Sequence, residues 1–80
     1  MDYTIGQITL FAFLFAPYGW MSCEGQVLTI TTNQALFSLI GTTYGGDGRT
    51  TFALPNLNGA SPLPQMKYYI CVEGIYPQRQ

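Results

Sequence analysis

The feature that most constrains this chain is a glycine-rich corner within residues 35–55, ALFSLIGTTYGGDGRTTFALP. The run joins a short helical pattern to a strand-like segment, and no helical pattern follows the glycines. Glycine permits positive φ and close backbone approach, and aspartate is common in turns. The corner therefore predicts a turn of defined shape. The residues that we expect to build it are Gly41, Gly45, Gly46, Asp47, Gly48 and Arg49.

The order of elements around these glycines argues against a phosphate-binding loop. Such a loop leads into the N-terminus of a helix and places Lys and Ser or Thr behind it. Here the helical pattern precedes the glycines, and no lysine follows them within the run. We expect Asp47 to accept hydrogen bonds from neighbouring amides and Arg49 to bind a carboxylate or carbonyl, with a ligand role as the alternative.

The rest of the chain predicts short strands around one small helix. Five runs are rich in apolar, aromatic and β-branched residues, as strands are. They are residues 3–15, 20–23, 27–31, 50–54 and 67–72. The first run shows no strict alternation at its end, as in a strand buried on both faces. A helix over about residues 33–40 has Thr32 or Asn33 as its cap and Gly41 as a left-handed terminator. The pattern indicates a β-rich α+β fold with residues 1–80 as a single domain.

Length and composition predict that the domain associates with other subunits. A domain of this size buries only roughly 60% of its unfolded surface. Charged residues make up 9% of the 80 residues, against about 25% in typical soluble domains. Because so few charges cannot cover an isolated small sphere, we expect apolar surface to be buried between subunits. The alternative is a monomer solvated by Thr, Ser, Asn, Gln and Gly.

The distribution of charge argues against nucleic-acid and membrane partners. The net charge is −1, and Arg49, Lys67 and Arg79 are scattered, whereas nucleic-acid binding uses clustered cations. The most apolar stretch, residues 10–16, is much shorter than the roughly 20 residues of a membrane-spanning helix. Asp2 stands where a signal peptide carries basic residues, so we expect no signal peptide.

No pattern in the chain predicts catalysis, a metal or a cofactor. There is no histidine, the four carboxylates are separated, and the serines have no base to activate them. Cys23 and Cys71 are too few for a zinc site. They form either a disulfide worth roughly 4 kcal/mol or two buried free thiols. The apolar context of each cysteine favours the thiols.

Three aromatic residues beside glycine turns are candidates for contact with a partner or ligand. We expect Trp20 to pack in the core or at a subunit interface. Tyr18 and Tyr44 stay open between an interface contact and stacking on a sugar.

Several segments follow one another in the order and spacing of a known family. Residues 5–12, IGQITLFA, are similar to its opening strand. Residues 16–28, APYGWMSCEGQVL, contain a Pro-x-Gly-Trp and Cys-x-Gly-Gln block, and residues 35–48 and 51–55 follow in order. In these segments the chain resembles the phage tail collar domain, which occurs in tail-fibre proteins and in bacterial proteins labelled microcystin-dependent. So long an ordered match is more specific than a single glycine motif.

The resemblance spans about residues 5–59 and resumes at residues 75–79, and it implies a structural protein. It implies a non-enzymatic, self-assembling subunit of a phage-tail-like fibre, appendage or extracellular filament. Its partners would be further copies, as a trimer or an open polymer, and other tail or appendage proteins. The location it implies is a virion tail or a bacterial cell surface. The alternative is a receptor- or glycan-binding adhesion module.

The chain departs from larger members of this family before its closing strand. Those members carry a long segment there, with a histidine-rich stretch in some of them. Here only residues 56–65 bridge the gap. The receptor contacts that relatives build from that segment are not carried over to this chain.

Overall fold

Two small antiparallel sheets and one short helix form the fold in the computed structural model, which describes residues 3–77. The predicted β-rich α+β class with one short helix is confirmed. Asp2 and Arg79 lie outside the described residues. The elements are β1 (Ile8–Phe11), β2 (Trp20–Ser22), β3 (Val27–Thr29), α1 (Gln34–Ile40), β4 (Thr51–Ala53) and β5 (Lys67–Cys71).

The larger sheet has the strand order β1-β5-β2, so the last strand of the chain lies at its centre. Phe11 pairs with Lys67 on one side of β5, and Trp20 pairs with Cys71 on the other. β1 is an edge strand with no fully buried residue. The expectation of a strand buried on both faces over residues 3–15 is therefore wrong. The strand ends at Phe11 because the chain must cross β5 to reach β2.

The two faces of this sheet bury different clusters, since consecutive strand residues point to opposite faces. One face carries Ile70 and belongs to the main core. The other carries Tyr69 and Cys71 and belongs to an aromatic cluster. The buried residues of the main core are Ile5, Cys23, Leu36, Phe52, Leu54 and Ile70. The aromatic cluster comprises Trp20, Tyr69 and Cys71, with Tyr3 and Phe11 packed against them.

The helix and the smaller sheet complete the main core. β3 pairs with β4, and Leu28 lies opposite Phe52, which is completely buried. Leu36 is the buried residue of α1, and the ring of Phe37 lies 5.4 Å from that of Phe52. A helix of seven residues is marginal on its own. These contacts with β4 therefore hold it in place.

The ends of α1 differ from the predicted caps in their details. Asn33 occupies the N-cap position, but its side chain makes no capping hydrogen bond and its Nδ2 donates to the Thr29 carbonyl at 2.9 Å. Gly41 ends the helix with φ 57° and ψ −144°, which is not the left-handed helical conformation. Its N–H donates to the Phe37 carbonyl at 2.8 Å, so the last turn is still closed.

Candidate functional site

The glycine corner is organised around the carboxylate of Asp47. Its Oδ1 accepts hydrogen bonds from the backbone N–H groups of Arg49, Thr50 and Thr51 at 2.8, 2.9 and 3.0 Å. Its Oδ2 accepts one from the Thr50 hydroxyl at 3.1 Å. These bonds, led by that of the Thr50 amide, hold the pKa of Asp47 far below its usual value. A carboxylate used in this way is a poor proton acceptor, and its geometry is that of a turn-forming residue.

Gly46 brings the corner into direct contact with β4. A Cβ atom at this position would overlap the Cα of Phe52 and lie 2.7 Å from the Thr51 carbonyl oxygen. Its φ of 94° is also one that L side chains rarely adopt. Next to it, the Gly45 carbonyl accepts a hydrogen bond from the Ala53 N–H at 3.1 Å. The backbone of the corner therefore packs directly against the backbone of β4.

Arg49 contributes to the corner through its backbone N–H. Among residues 3–77, Lys67 and Glu24 form an ion pair, and the Arg49 guanidinium forms no ion pair there. The Gly48 N–H donates to the Thr51 carbonyl at 3.0 Å, which closes the turn beside it. The corner is held by backbone and carboxylate hydrogen bonds rather than by the arginine.

Three phenylalanines, the last residue of β1 and two in the loop after it, form a ladder of stacked rings. Phe11 and Phe13 stack at 5.1 Å, and Phe13 and Phe15 at 4.7 Å. At its inner end Phe11 meets Trp20 edge to face at 5.2 Å. The Tyr69 hydroxyl donates to the Phe13 carbonyl at 3.0 Å and fixes the backbone of the loop. The ladder runs from the buried aromatic cluster to the surface.

Phe15, at the outer end of this ladder, and its neighbour Leu14 are together called the aromatic tip below. Leu14 is 58% exposed and Phe15 is 69% exposed. Of the three aromatic candidates from the sequence, Trp20 is buried in the aromatic cluster. Tyr18 is 92% exposed and Tyr44 is half exposed. The structure thus leaves both tyrosines at the surface, and the tip was missed because its sequence resembles a buried strand.

A pocket of about 210 Å³ opens beside the start of β5. Much of its wall is apolar and comes from Leu57, Leu63, Pro64, Met66 and Tyr68. At its rim Lys67 Nζ lies 3.1 Å from Glu24 Oε2. The Ser22 hydroxyl and then Lys67 lower the pKa of Glu24. No signal in the sequence pointed to this pocket, because Cys23 and Glu24, which complete its wall, lie more than 30 positions before its other residues.

The two cysteines lie on opposite faces of the larger sheet as free thiols. In the pairing of β2 with β5, Trp20 lies opposite Cys71, and Cys23 lies three residues after Trp20. At roughly 3.3 Å per residue the Cα atoms are about 10 Å apart along the strand, beyond the roughly 7 Å that a disulfide spans. Burial raises the pKa of Cys23 to about 11 and also raises the pKa of Cys71. Their placement favours the two free thiols over the disulfide.

Neither a metal-binding cluster nor a membrane-spanning helix occurs in the part of the chain that the structure describes. Its His, Cys, Asp and Glu side chains form no group of three that could hold a metal ion. Its helix is not long and apolar enough to cross a bilayer. The features that stand out are therefore surfaces, namely the corner, the aromatic tip and the pocket.

Comparison with known proteins gives one match. A family model described as Phage Tail Collar Domain matches residues 6–62, which is more than half of the chain. The matched region contains β1 to β4, α1 and the glycine corner. No match was found among curated proteins or among solved structures.

Proposed function

Because this chain belongs to the phage tail collar domain family, we propose that it is a self-assembling subunit of a phage-tail-like fibre, appendage or extracellular filament. Membership of this structural family implies a structural, tail-fibre role and a place in the virion tail. The finer proposal is that copies of this chain associate with one another, as a trimer or an open polymer. Other tail or appendage proteins are further partners. A bacterial cell surface is the alternative setting.

The observation that carries this proposal is the amount of exposed apolar surface on a chain with seven charged residues. Apolar surface that so few charged residues leave uncovered favours association with further copies. The exposed residues are distributed over loops, strands and helix. They are Ile8, Leu14, Phe15, Tyr18, Val27, Leu39, Tyr44, Leu63, Ile75 and Tyr76.

The position of β1 at an edge of the sheet, among residues 3–77, also supports self-association. β1 is an outer strand of the larger sheet, and its sequence ITLF has neither a charge nor a proline. Proteins usually protect edge strands with such residues. The opposite edge differs, because the Ser22 carbonyl of β2 already accepts a hydrogen bond from Gln26 Nε2 at 2.7 Å. β1 is therefore the edge better suited to pairing with another strand.

Sedimentation velocity over a range from low to high micromolar concentration, with negative-stain microscopy, tests the proposal. We expect the sedimentation coefficient to rise with concentration. A single discrete trimer would indicate a closed oligomer, whereas a continuous distribution of sizes would indicate an open polymer. A chain that stays monomeric at high micromolar concentration contradicts self-assembly.

A receptor- or glycan-binding adhesion module is the second candidate function. The nearly complete exposure of Tyr18 and the half exposure of Tyr44 favour it, because exposed aromatic rings stack on sugars. Tyr18→Ala and Tyr44→Ala should then abolish binding on a glycan array or to host cells without changing the circular dichroism spectrum. An array and a cell-binding assay that are both negative for the wild type contradict this function.

A further inference from the structure

We propose that the aromatic tip of one copy inserts into the pocket beside β5 of a second copy, so that copies join head to tail. The inference rests on the proposed self-assembly and names the contact that produces it. The occupant of the pocket is thus Phe15, with Leu14 beside it, from another copy of this chain.

Contacts within its own chain hold the tip in position. Phe15 stacks on Phe13 at 4.7 Å, and the Phe13 backbone accepts the hydrogen bond from the buried Tyr69 at 3.0 Å. Little conformational entropy is then lost when Phe15 is covered, which favours binding. A ring held in this way at the surface, 69% exposed, has the properties of an interface anchor.

The pocket is large enough for a phenyl ring. An apolar cavity of about 150 Å³ in another protein binds benzene. The pocket here has about 210 Å³. Its apolar wall of Leu57, Leu63, Pro64 and Met66 matches the chemistry of a phenylalanine side chain.

The charges near the two surfaces do not oppose the pairing. Residues 3–23, which include the whole tip, contain no charged side chain. At the pocket, Lys67 and Glu24 neutralise each other at 3.1 Å. Bringing the two surfaces together therefore leaves no charge without a partner, which avoids the large cost of burying an unpaired charge.

The placement of tip and pocket makes the contact open-ended. The tip consists of Leu14 and Phe15, and neither residue lines the pocket. A chain therefore presents two different surfaces, the tip and the pocket. A contact between two different surfaces leaves one of each free at the ends and adds further copies.

The small area of the contact predicts weak association. An aromatic side chain buries roughly 150–250 Å², far less than the roughly 800 Å² per partner of a standard stable interface. We therefore expect assemblies that dissociate on dilution.

Two variants test the inference, and each of them lacks one of the two contacting surfaces. Phe15→Ser removes the tip, and Leu63→Glu places a charge in the pocket wall. Val27→Ser is the matched control, since Val27 is 62% exposed on β3 and lies in neither surface. Circular dichroism and thermal unfolding establish that each variant is folded. Sedimentation velocity at a concentration where the wild type assembles is the readout.

We expect each of these two variants to be monomeric alone and an equimolar mixture of them to form a heterodimer that grows no further. In the mixture the intact tip of Leu63→Glu meets the intact pocket of Phe15→Ser, and neither remaining surface is functional. Val27→Ser should assemble as the wild type does.

Assembly of Phe15→Ser at the wild-type level, or a mixture that stays monomeric, overturns the inference and leaves the proposed function standing. A wild-type chain that is itself monomeric contradicts both. Should Phe15→Ser fail to fold, a chain with Phe15→Cys and Leu63→Cys provides a second measurement. We expect oxidation to give a ladder of disulfide-linked multimers, and its absence while the wild type assembles contradicts the contact.

Discussion

The buried hydroxyl of Tyr69 donates a hydrogen bond to the carbonyl oxygen of Phe13, 3.0 Å away and 56 positions earlier in the chain. This bond connects the central strand of the larger sheet to the loop that crosses it. It fixes the loop in the position from which Phe15 projects. The central strand thereby determines the geometry of a surface feature.

Removing this hydroxyl should loosen the loop and lower stability. We expect Tyr69→Phe to reduce the free energy of unfolding by about 1 kcal/mol, the usual value of one hydrogen bond. Tyr18→Phe is the control, because Tyr18 is 92% exposed and should change the value by less than about 0.5 kcal/mol. Urea unfolding followed by tryptophan fluorescence measures both. Equal effects of the two variants would contradict a structural role for the hydroxyl.

Asp47 should make stability depend on pH below its usual pKa of 3.8. Hydrogen bonds lower its pKa in the folded state, so the unfolded chain takes up the proton at a higher pH than the folded chain does. Its contribution is therefore complete above pH 3.8 and declines as the pH falls toward the folded pKa. We expect Asp47→Asn to lower the urea midpoint at pH 6, and the difference from the wild type to shrink near pH 3. A difference that is independent of pH would contradict a role for the charge.

Gly46 should be the least replaceable residue of the glycine corner. Gly46→Ala combines backbone strain at φ 94° with overlap against β4, and we expect a loss of roughly 3 kcal/mol or more. Gly41→Ala is the matched control, since Gly41 also has positive φ but no atom within 4 Å of the added carbon. Its cost should be about 1–3 kcal/mol, from backbone strain alone. Thermal or urea unfolding distinguishes the two, and equal losses would show that φ alone matters.

Both cysteines should be free and slow to react in the folded protein. At pH 8 a thiol with the pKa of Cys23, about 11, is ionised in only about one molecule in a thousand. We expect Ellman's reagent to react slowly with the native protein and to report two thiols per chain after denaturation without reductant. Detection of no thiol after denaturation would mean that Cys23 and Cys71 form a disulfide.

The sequence predicted those parts of the fold that depend on neighbours along the chain. The helix expected over about residues 33–40 is Gln34–Ile40, because apolar spacing and Gly41 act within a few residues. The glycine corner was also predictable, since positive φ and short-range aspartate hydrogen bonds are properties of the local chain. The family could be identified for the same reason, as its segments lie in a fixed order.

The sequence by itself therefore determined the fold class, the family, the corner around Asp47 and the shortage of charge that favours association. The tertiary structure alone decided that β5 lies between β1 and β2, because strand order depends on contacts between residues far apart. That order forces the loop after Phe11 across the sheet and makes Phe15 an exposed tip where the sequence pattern indicated a buried strand. It also separates Cys23 from Cys71. The pocket forms where Cys23 and Glu24 meet residues 57–68. The physical reason is that exposure depends on what covers a side chain, and the covering residues here lie tens of positions away.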